Sequence, residues 1–233
     1  MLQKTIMESF YLLFSFDNEL SIIVFTTLKI VLASILIASL ISVPLAISIS
    51  FMKETPKKFL TAIFNSLLAV PTVVIGLFVY MLISNAGPFG EYKLLFTPFA
   101  IVIGQTILAI PIITSFILAG FSKTDILMQE TIKTLGAGTI EMVKTIAVEH
   151  KALILSSILA GFGRVIAEVG ISMMLGGNIR FYTRTITTAI ALETGKGEFA
   201  LGLALGIILI TIAILVNFFA HYSIKNSSNL RAA

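Results

Sequence analysis

The sequence predicts an all-α integral membrane protein with about five transmembrane helices and one long cytoplasmic loop. Hydrophobic residues make up 57% of the 233 residues and charged residues only 12%, whereas soluble domains carry about a quarter charged residues. Apolar runs long enough to cross a bilayer recur along the chain, because a spanning helix needs about 20 apolar residues. Between two such runs, residues 122–151 instead hold eight charges.

Residues 1–21 are predicted to form an extracytoplasmic segment that lies in the membrane interface. Met7, Phe10, Tyr11 and Phe14 follow helical spacing and give a short helix one apolar face. A signal peptide is disfavoured because the apolar run is short, is interrupted by Asp17 and lacks a small-residue cleavage pattern. If this helix inserts into the membrane, the number of spans rises by one.

The predicted transmembrane domain covers residues 22–224, and a cytoplasmic tail, 225–233, follows it. The five spans are 30–52, 59–90, 94–122, 152–175 and 199–224. Three of them contain a proline that removes a helix hydrogen bond and should bend the helix: Pro44, Pro71 and Pro111. Two pairs have the small-x-x-x-small spacing that lets helices approach closely: Gly202 with Gly206, and Gly163 with Ala167.

The charged loop, 122–151, has the pattern of two short helices about a tight bend. Ser122 and Asp125 have the spacing of a capping box, and an apolar helical face follows. Gly136 and Gly138 interrupt this helix, and Thr139 can cap a second one. The loop is therefore either a docking element for a partner in water or a solvated interfacial loop.

Basic residues between the spans predict the orientation of the chain. The loops on one side, which include 122–151 and the C-terminal tail, carry nine lysines and arginines, against five on the other side when Lys29, which borders the first span, is left out. The positive-inside rule therefore places the charged loop and the C-terminus in the cytoplasm and the N-terminus outside.

Arg164 and Glu168 are charged residues inside the fourth predicted span. Charged side chains that face lipid cost free energy, so both residues must face protein or water. At a spacing of four they can meet on one helix face, but arginine before glutamate is the weaker order. We therefore expect at least one of them to have a partner on another helix, in a packing role or in the transport path.

The segment 176–188, between the last two spans, is predicted to form an outer lip rich in hydroxyls. Arginine presents a planar fork of donors to oxyanions, and threonine adds further donors. The candidate contacts for a tetrahedral oxyanion in this lip are Asn178, Arg180, Thr183, Arg184 and Thr187. With the charged pair Arg164 and Glu168, they are the predicted residues of the translocation path or of a buried polar pair. The alternatives are a loop that docks on an extracytoplasmic partner and a merely solvated loop.

The charged loop resembles the cytoplasmic signature loop of ATP-binding-cassette (ABC) importer permeases. That pattern is E-A-A, three residues, G, nine residues and I-x-L-P, and Glu130, Gly136 and Ile146 stand at the required spacing. The two alanines are replaced by Thr131 and Ile132, and the leucine-proline by Val148-Glu149. By this resemblance, the residues that couple the chain to an ATPase are Glu130, Thr134, Leu135, Gly136, Ala137 and Ile146.

A narrower resemblance covers nearly everything from about residue 22 onward. The runs 161–170, 176–180 and 183–196, with 70–76 and 95–99 earlier, are similar to the permease subunits of tungstate importers, which are close relatives of molybdate permeases. The resemblance implies the molybdate/methionine-permease-like fold of ABC importers. The implied function is import of tungstate, with molybdate or another oxyanion as the alternative.

The resemblance also implies the assembly. Two copies of the chain enclose one pore in the inner membrane of a prokaryote, two ATPase subunits bind at the cytoplasmic face, and an extracytoplasmic protein captures the oxyanion. ATP and magnesium then belong to the ATPase, and this chain holds no cofactor. Selectivity resides mostly in the binding protein.

No catalytic or metal site and no nucleic-acid partner are predicted. The phosphate-loop pattern is absent, because Ile190 and Gly197 replace its first glycine and its hydroxyl residue around Gly195-Lys196. His150 and His221 are far apart and form no ligand motif. The rival interpretation is an ion-coupled carrier that uses Arg164 and Glu168, although carriers often show internal repeats and none is evident here. A membrane scaffold would leave that charged pair unexplained.

Overall fold

The structure is a computed structural model that describes residues 2–15, 18–121, 131, 134, 136 and 138–229, with only the backbone described for 2, 4, 14, 139, 142 and 219–229. All secondary structure in these residues is helical, as predicted. Before the charged loop the elements are α1 (Leu2–Phe14), α2 (Asn18–Ser50), α3 (Glu54–Leu67), α4 (Thr72–Ile83), a 3-10 turn (Gly90–Tyr92) and α5 (Pro98–Gly120). After it come α6 (Thr139–Glu149), α7 (Lys151–Ile166), α8 (Gly170–Gly176), α9 (Ile186–Lys196) and α10 (Phe199–Asn229).

Three helices are long and apolar enough to cross a membrane: α2, α5 and the stretch Phe199–Phe218 of α10. Two further helix pairs pass the same test but are sharply bent, α3 with α4 at 94° and Val143–Glu149 with α7 at 83°. The described residues therefore hold three to five spans, and the predicted number of five is reached if each bent pair counts as one.

The second predicted span, 59–90, is not one helix. α3 ends at Leu67 and α4 begins at Thr72, and the N–H groups of Leu68, Ala69 and Val70 close tight turns onto the preceding carbonyls. Pro71 directly precedes α4, where its missing N–H costs no helical hydrogen bond. The span is therefore bent at Pro71, as predicted, but by a break between two helices and not by a proline inside one, whereas Pro44 and Pro111 lie inside α2 and α5.

The fourth predicted span, 152–175, is also broken. α7 ends at Ile166, α8 begins at Gly170, and the three residues between them contain Glu168. Such non-helical backbone at membrane depth is tolerated where protein buries it or water lines it. The two breaks lie side by side: a Cβ atom on Gly170 would be 3.2 Å from Val73 in the first turn of α4 and 3.3 Å from Glu168 Oε1.

The centre of the molecule is the packing of α2 on α5. Small residues recur every four positions on the buried face of α2, at Ser34, Ala38, Ser42 and Ala46, and each is fully buried. Such a stripe lets two helix backbones approach closely. Ser42 also donates a hydrogen bond to the carbonyl of Ile110 on α5.

Glycines set the position of the short helix α8. A Cβ atom on Gly104 of α5 would lie 2.5 Å from Ile171, and one on Gly76 of α4 would lie 3.2 Å from Met174. α8 therefore fits between α4 and α5 only because these positions lack side chains. Of the predicted small-residue pairs, Gly202 is buried beside Thr194, whereas a Cβ on Gly206 would meet no described atom within 4 Å.

The N-terminal segment is helical, as predicted, and packs on α10. Leu12 joins an apolar cluster that includes Leu20 and Ile23 of α2 and Leu205 of α10. The neighbouring side chain of Tyr11 remains exposed. The interfacial location of α1 stays a prediction.

Candidate functional site

Glu168 is the buried charge at the break between α7 and α8. Its side chain is only 3% exposed. One carboxylate oxygen accepts a hydrogen bond from the N–H of Ile171 at 3.2 Å, in the first turn of α8, where helical N–H groups have no intrahelical acceptor. The backbone carbonyl of Glu168 accepts the hydroxyl of Thr187 at 2.8 Å. Glu168 therefore joins α7, α8 and α9, which agrees with the expectation of a partner on another helix.

Arg164 lies one turn before Glu168, and its guanidinium is 3.8 Å from the carboxylate. Its side chain is 50% exposed. The neighbouring residues on this face are small: Ala167 is exposed, and a Cβ atom on Gly163 would meet no described atom within 4 Å. A charge facing lipid at mid-span costs about 2.5–3.5 kcal/mol on insertion scales. The face of α7 that carries Gly163, Arg164 and Ala167, here called the Arg164 face, must therefore meet water or another protein chain.

A buried chain of polar groups leads from this break to α2. Gln105 of α5 accepts the hydroxyl of Ser34 at 3.1 Å and donates to the hydroxyl of Ser172 at 3.3 Å. Ser172 in turn lies 3.4 Å from the carbonyl of Glu168. These residues were not predicted from the sequence, although a glutamine in the middle of an apolar span is a visible signal, since polar groups in membranes need partners.

The first turn of α9 docks against the same region. Thr185 caps the helix by accepting the N–H of Thr188, and the N–H of Ile186 donates to Thr27 of α2 at 2.9 Å. Thr187, one of the predicted oxyanion contacts, is 6% exposed and is bound to Glu168. Through this hydrogen bond Thr187 holds α9 against the break between α7 and α8.

Two other predicted contacts fold the outer lip itself. The hydroxyl of Thr183 is fully buried, donates to the carbonyl of Gly176 and accepts the N–H of Ile179. Asn178 adopts the left-handed conformation, with φ 51°, which asparagine tolerates better than most residues. The hydroxyl of Thr183 is therefore already used within the chain.

The arginines of the outer lip are paired with Glu19, a partner that the sequence analysis missed. Arg180 donates to Glu19 at 2.9 and 2.6 Å, and Arg184 at 3.1 Å. Arg184 also lies 3.9 Å from Glu193, which binds Lys196 at 3.0 Å. Among the described residues, three cations and two carboxylates thus form one network. An oxyanion that contacts either arginine must compete with Glu19.

The predicted coupling segment is only partly within the described residues. Glu130, Leu135 and Ala137 lie outside them. Thr134 is exposed, and Gly136 has φ +77°, a left-handed conformation that glycine adopts without strain. The bend predicted at Gly136 is therefore consistent with its backbone.

The helix that follows the bend begins one residue earlier than predicted. Gly138, not Thr139, precedes the first turn of α6, and the carboxylate of Glu141 accepts the Gly138 N–H at 2.9 Å. This side chain satisfies a free N–H group at the helix start, so a threonine cap is not required.

Ile146 of α6 is buried inside the chain, with 2% of its surface exposed. It packs on Ile47 of α2, in a cluster that includes Phe121 at the end of α5. His150, at the bend between α6 and α7, makes an edge-to-face contact with the Phe121 ring. Ile146 therefore packs α6 against α2 and the end of α5, and its predicted role in coupling to an ATPase stays a prediction.

Comparison with known proteins gives a consistent family. No family model matches the chain. It is 41% identical to the tungstate uptake system permease protein TupB of Campylobacter jejuni, over 92% of this chain and 90% of the relative. It is 34% identical to TupB of Peptoclostridium acidaminophilum over 88% and 90%, and 33% identical to a probable anion ABC transporter permease protein of Haloferax volcanii over 79% and 82%.

Relatives named as molybdenum transport permeases match less closely, at 26% and 27% identity. The matches with TupB extend over nearly the whole length of both chains, so they include the breaks in the spans, the Arg164 face and the outer lip. The chain therefore belongs to the tungstate uptake permease family of ABC transporter permeases.

Proposed function

We propose that this chain is the membrane-spanning subunit of an ABC importer that carries tungstate into the cytoplasm. The observation that carries the proposal is Arg164, a half-exposed cation on a spanning helix of a chain that belongs to this family. A cation held at membrane depth lowers the cost of passing an anion through the bilayer. The chain itself is a passage, and ATP is hydrolysed by a separate subunit.

The proposed assembly has two copies of the chain, two ATPase subunits that bind ATP and magnesium at the cytoplasmic face, and an extracytoplasmic oxyanion-binding protein. The Arg164 face supports two copies, because a half-exposed charge needs water or protein beside it. The assembly lies in the inner membrane of a prokaryote, with the N-terminus outside and the C-terminus in the cytoplasm.

Coupling between the subunits proceeds through α6. The ATPase contacts the segment around Gly136, with Glu130, Thr134, Leu135 and Ala137 nearby, and moves it as ATP binds. Ile146 is buried against Ile47, so a displacement of α6 pushes directly on α2. α2 packs along α5, and the motion reaches the centre of the molecule.

Transport of molybdate is the alternative, because both ions are tetrahedral divalent oxyanions. The cations of the outer lip network, Arg180, Arg184 and Lys196, support an anionic cargo in either case. Arg180 and Arg184 release the Glu19 carboxylate and bind the oxyanion in its place as the ion passes. Asn178 belongs to the same segment of the chain.

The test is transport in reconstituted vesicles that contain the chain with its neighbouring ATPase and binding protein. Tungstate uptake should require ATP, should stop with vanadate, and should be reduced less by excess molybdate than by excess unlabelled tungstate. Stronger competition by molybdate would reverse the substrate assignment. Uptake driven by an ion gradient, by the chain alone, would contradict the proposal and support a secondary carrier.

A further inference from the structure

We propose that the Arg164 residues of two copies of this chain form one binding site for a divalent tetrahedral oxyanion inside the membrane. The inference rests on the proposed homodimeric importer and adds to it a location for the ion and the groups that hold it. The surroundings of Arg164, its donors, the second copy of the chain and the charge of Glu168 each contribute one step.

The first step concerns what faces Arg164. Half of its side chain is exposed, and Glu168 is its ion-pair partner among the described residues. On the same face Ala167 is exposed, and the space beside Gly163 contains no described atom within 4 Å of a Cβ position. The Arg164 face therefore carries a cation and small residues, which suits contact with water in a passage and not contact with lipid.

The second step concerns the donors of the guanidinium. Its distance of 3.8 Å from the Glu168 carboxylate is too long for a hydrogen bond, so that contact consumes none of its N–H groups. Glu168 is itself fixed by the N–H of Ile171 and by Thr187. Arg164 is therefore held in place electrostatically while its planar fork of donors stays open to an oxyanion.

The third step concerns the second copy. A two-fold axis brings the same surface of both copies together. A single guanidinium matches one face of a tetrahedral dianion, and the Arg164 of the second copy supplies the second cation. The site is thus incomplete in one chain, where Arg164 has the Glu168 carboxylate as its ion-pair partner among the described residues.

The fourth step concerns release. A transport site must bind the ion strongly enough to admit it and weakly enough to let it leave. Each Glu168 carboxylate, close to its arginine, opposes the anion and keeps the site weak. Removing that charge should therefore tighten anion binding, and removing the arginine should weaken it.

A protection experiment on the full complex tests this site. The chain has no cysteine, and Gly163→Cys places a thiol beside Arg164 where no described atom obstructs it. A neutral thiol-specific reagent should label this cysteine, and sodium tungstate or sodium sulfate should slow the labelling. Sodium perchlorate, a monovalent tetrahedral anion, should protect less at equal ionic strength.

Second substitutions in the Gly163→Cys background assign the effect to the charges. Arg164→Gln should raise the half-protective tungstate concentration by about tenfold or more, Arg164→Lys should raise it less, and Glu168→Gln should lower it. Lys29→Gln is the matched control, because Lys29 is an exposed cation of α2 stacked 4.2 Å over the Phe25 ring. It should leave protection unchanged. A short bifunctional maleimide should also cross-link Arg164→Cys between two copies.

The outcomes separate this inference from the proposed function. If the complex imports tungstate but no divalent oxyanion slows labelling of Gly163→Cys, the site is wrong and the importer stands. If oxyanions protect in an Arg164-dependent way but the complex imports no tungstate, the site stands and the transport assignment fails. Protection that Arg164→Gln leaves unchanged, or the absence of any cross-link at position 164, overturns the paired-arginine site.

Discussion

Glu19 accepts hydrogen bonds from Arg180 at 2.6 Å and from Arg184 at 3.1 Å, across a separation of 161 and 165 residues in the chain. The contact ties the start of α2 to the outer lip. Arg184 is only 11% exposed, so solvent screens its pairing with Glu19 weakly. The ion pairs of Glu19 thus anchor the outer lip to α2.

Replacing Glu19 should loosen that anchor. Glu19→Gln removes the charge and leaves two arginines facing a neutral amide, so we expect a loss of about 1.5–3 kcal/mol, the range for hydrogen bonds to charged groups. The measurement is the melting temperature of the purified complex in detergent. Glu91→Gln, at an exposed glutamate, is the control. An unchanged melting temperature for Glu19→Gln would show that the pairing contributes nothing.

A second prediction concerns the fit of α8 against α5. Gly104→Ala places a Cβ atom 2.5 Å from a methyl group of Ile171 and 2.6 Å from one of Leu175, so these side chains or α8 itself must shift, at a cost of about 1–3 kcal/mol. Because α8 carries the N–H that holds Glu168, tungstate uptake should also fall. The matched change Gly195→Ala, where the site is open, should alter neither thermal stability nor uptake. Equal thermal stability and equal uptake of the two variants would contradict the close packing of α8 on Gly104.

The spans were more predictable than their interruptions. Long uncharged runs were sufficient to find α2, α5 and α10, because hydropathy reports burial in lipid. The same measure cannot distinguish a straight helix from two short helices, since a break inside an apolar run changes no residue type. The turn before Pro71 and the break at Glu168 were missed for this reason.

A third prediction concerns the buried glutamine. Gln105→Leu removes the bonds to Ser34 and Ser172 with little change of volume. Both serines keep a second acceptor, the carbonyls of Ile30 and Glu168, so the loss should be only about 0.6 kcal/mol for each of the two bonds, the average for such bonds in membrane proteins. Thermal unfolding measures it. A fall of several kcal/mol would mean that the polar chain, and not helix packing, holds α8 in place.

The coupling bend yields a fourth prediction. Gly136→Pro should abolish ATP-driven uptake and leave folding largely intact, because proline cannot adopt the φ of +77° found there. Gly138→Ala is the control, since φ at Gly138 is −68° and any residue adopts it. Normal uptake by the proline variant would count against a coupling role for this bend.

A fifth prediction concerns transmission through α6. Ile146→Ala should create a cavity against Ile47 and cost about 2–5 kcal/mol. It should also lower the uptake per ATP hydrolysed, because α6 would move without carrying α2. Val148→Ala, at a residue that is 62% exposed, should have little effect on either quantity. An unchanged ratio of uptake to hydrolysis would place the mechanical contact elsewhere.

Individual residues of the candidate site were predictable, but their partners were not. The contact of Arg164 with Glu168 was predicted from their spacing of four, although Glu168 lies two residues beyond the end of α7. In contrast, Glu19 and Arg180 come together only through the fold, and Thr187 meets Glu168 because the outer lip returns toward the break. Sequence spacing carries no information about contacts between distant segments.

The most direct test of the account is the accessibility of Gly136→Cys in the cysteine-free chain. If the charged loop is a cytoplasmic element held by an ATPase, a membrane-impermeant thiol reagent should label this cysteine in inside-out vesicles and not in intact cells. Addition of the ATPase subunit should then protect it. Labelling from the outer face, or full labelling in the presence of bound ATPase, would contradict the account.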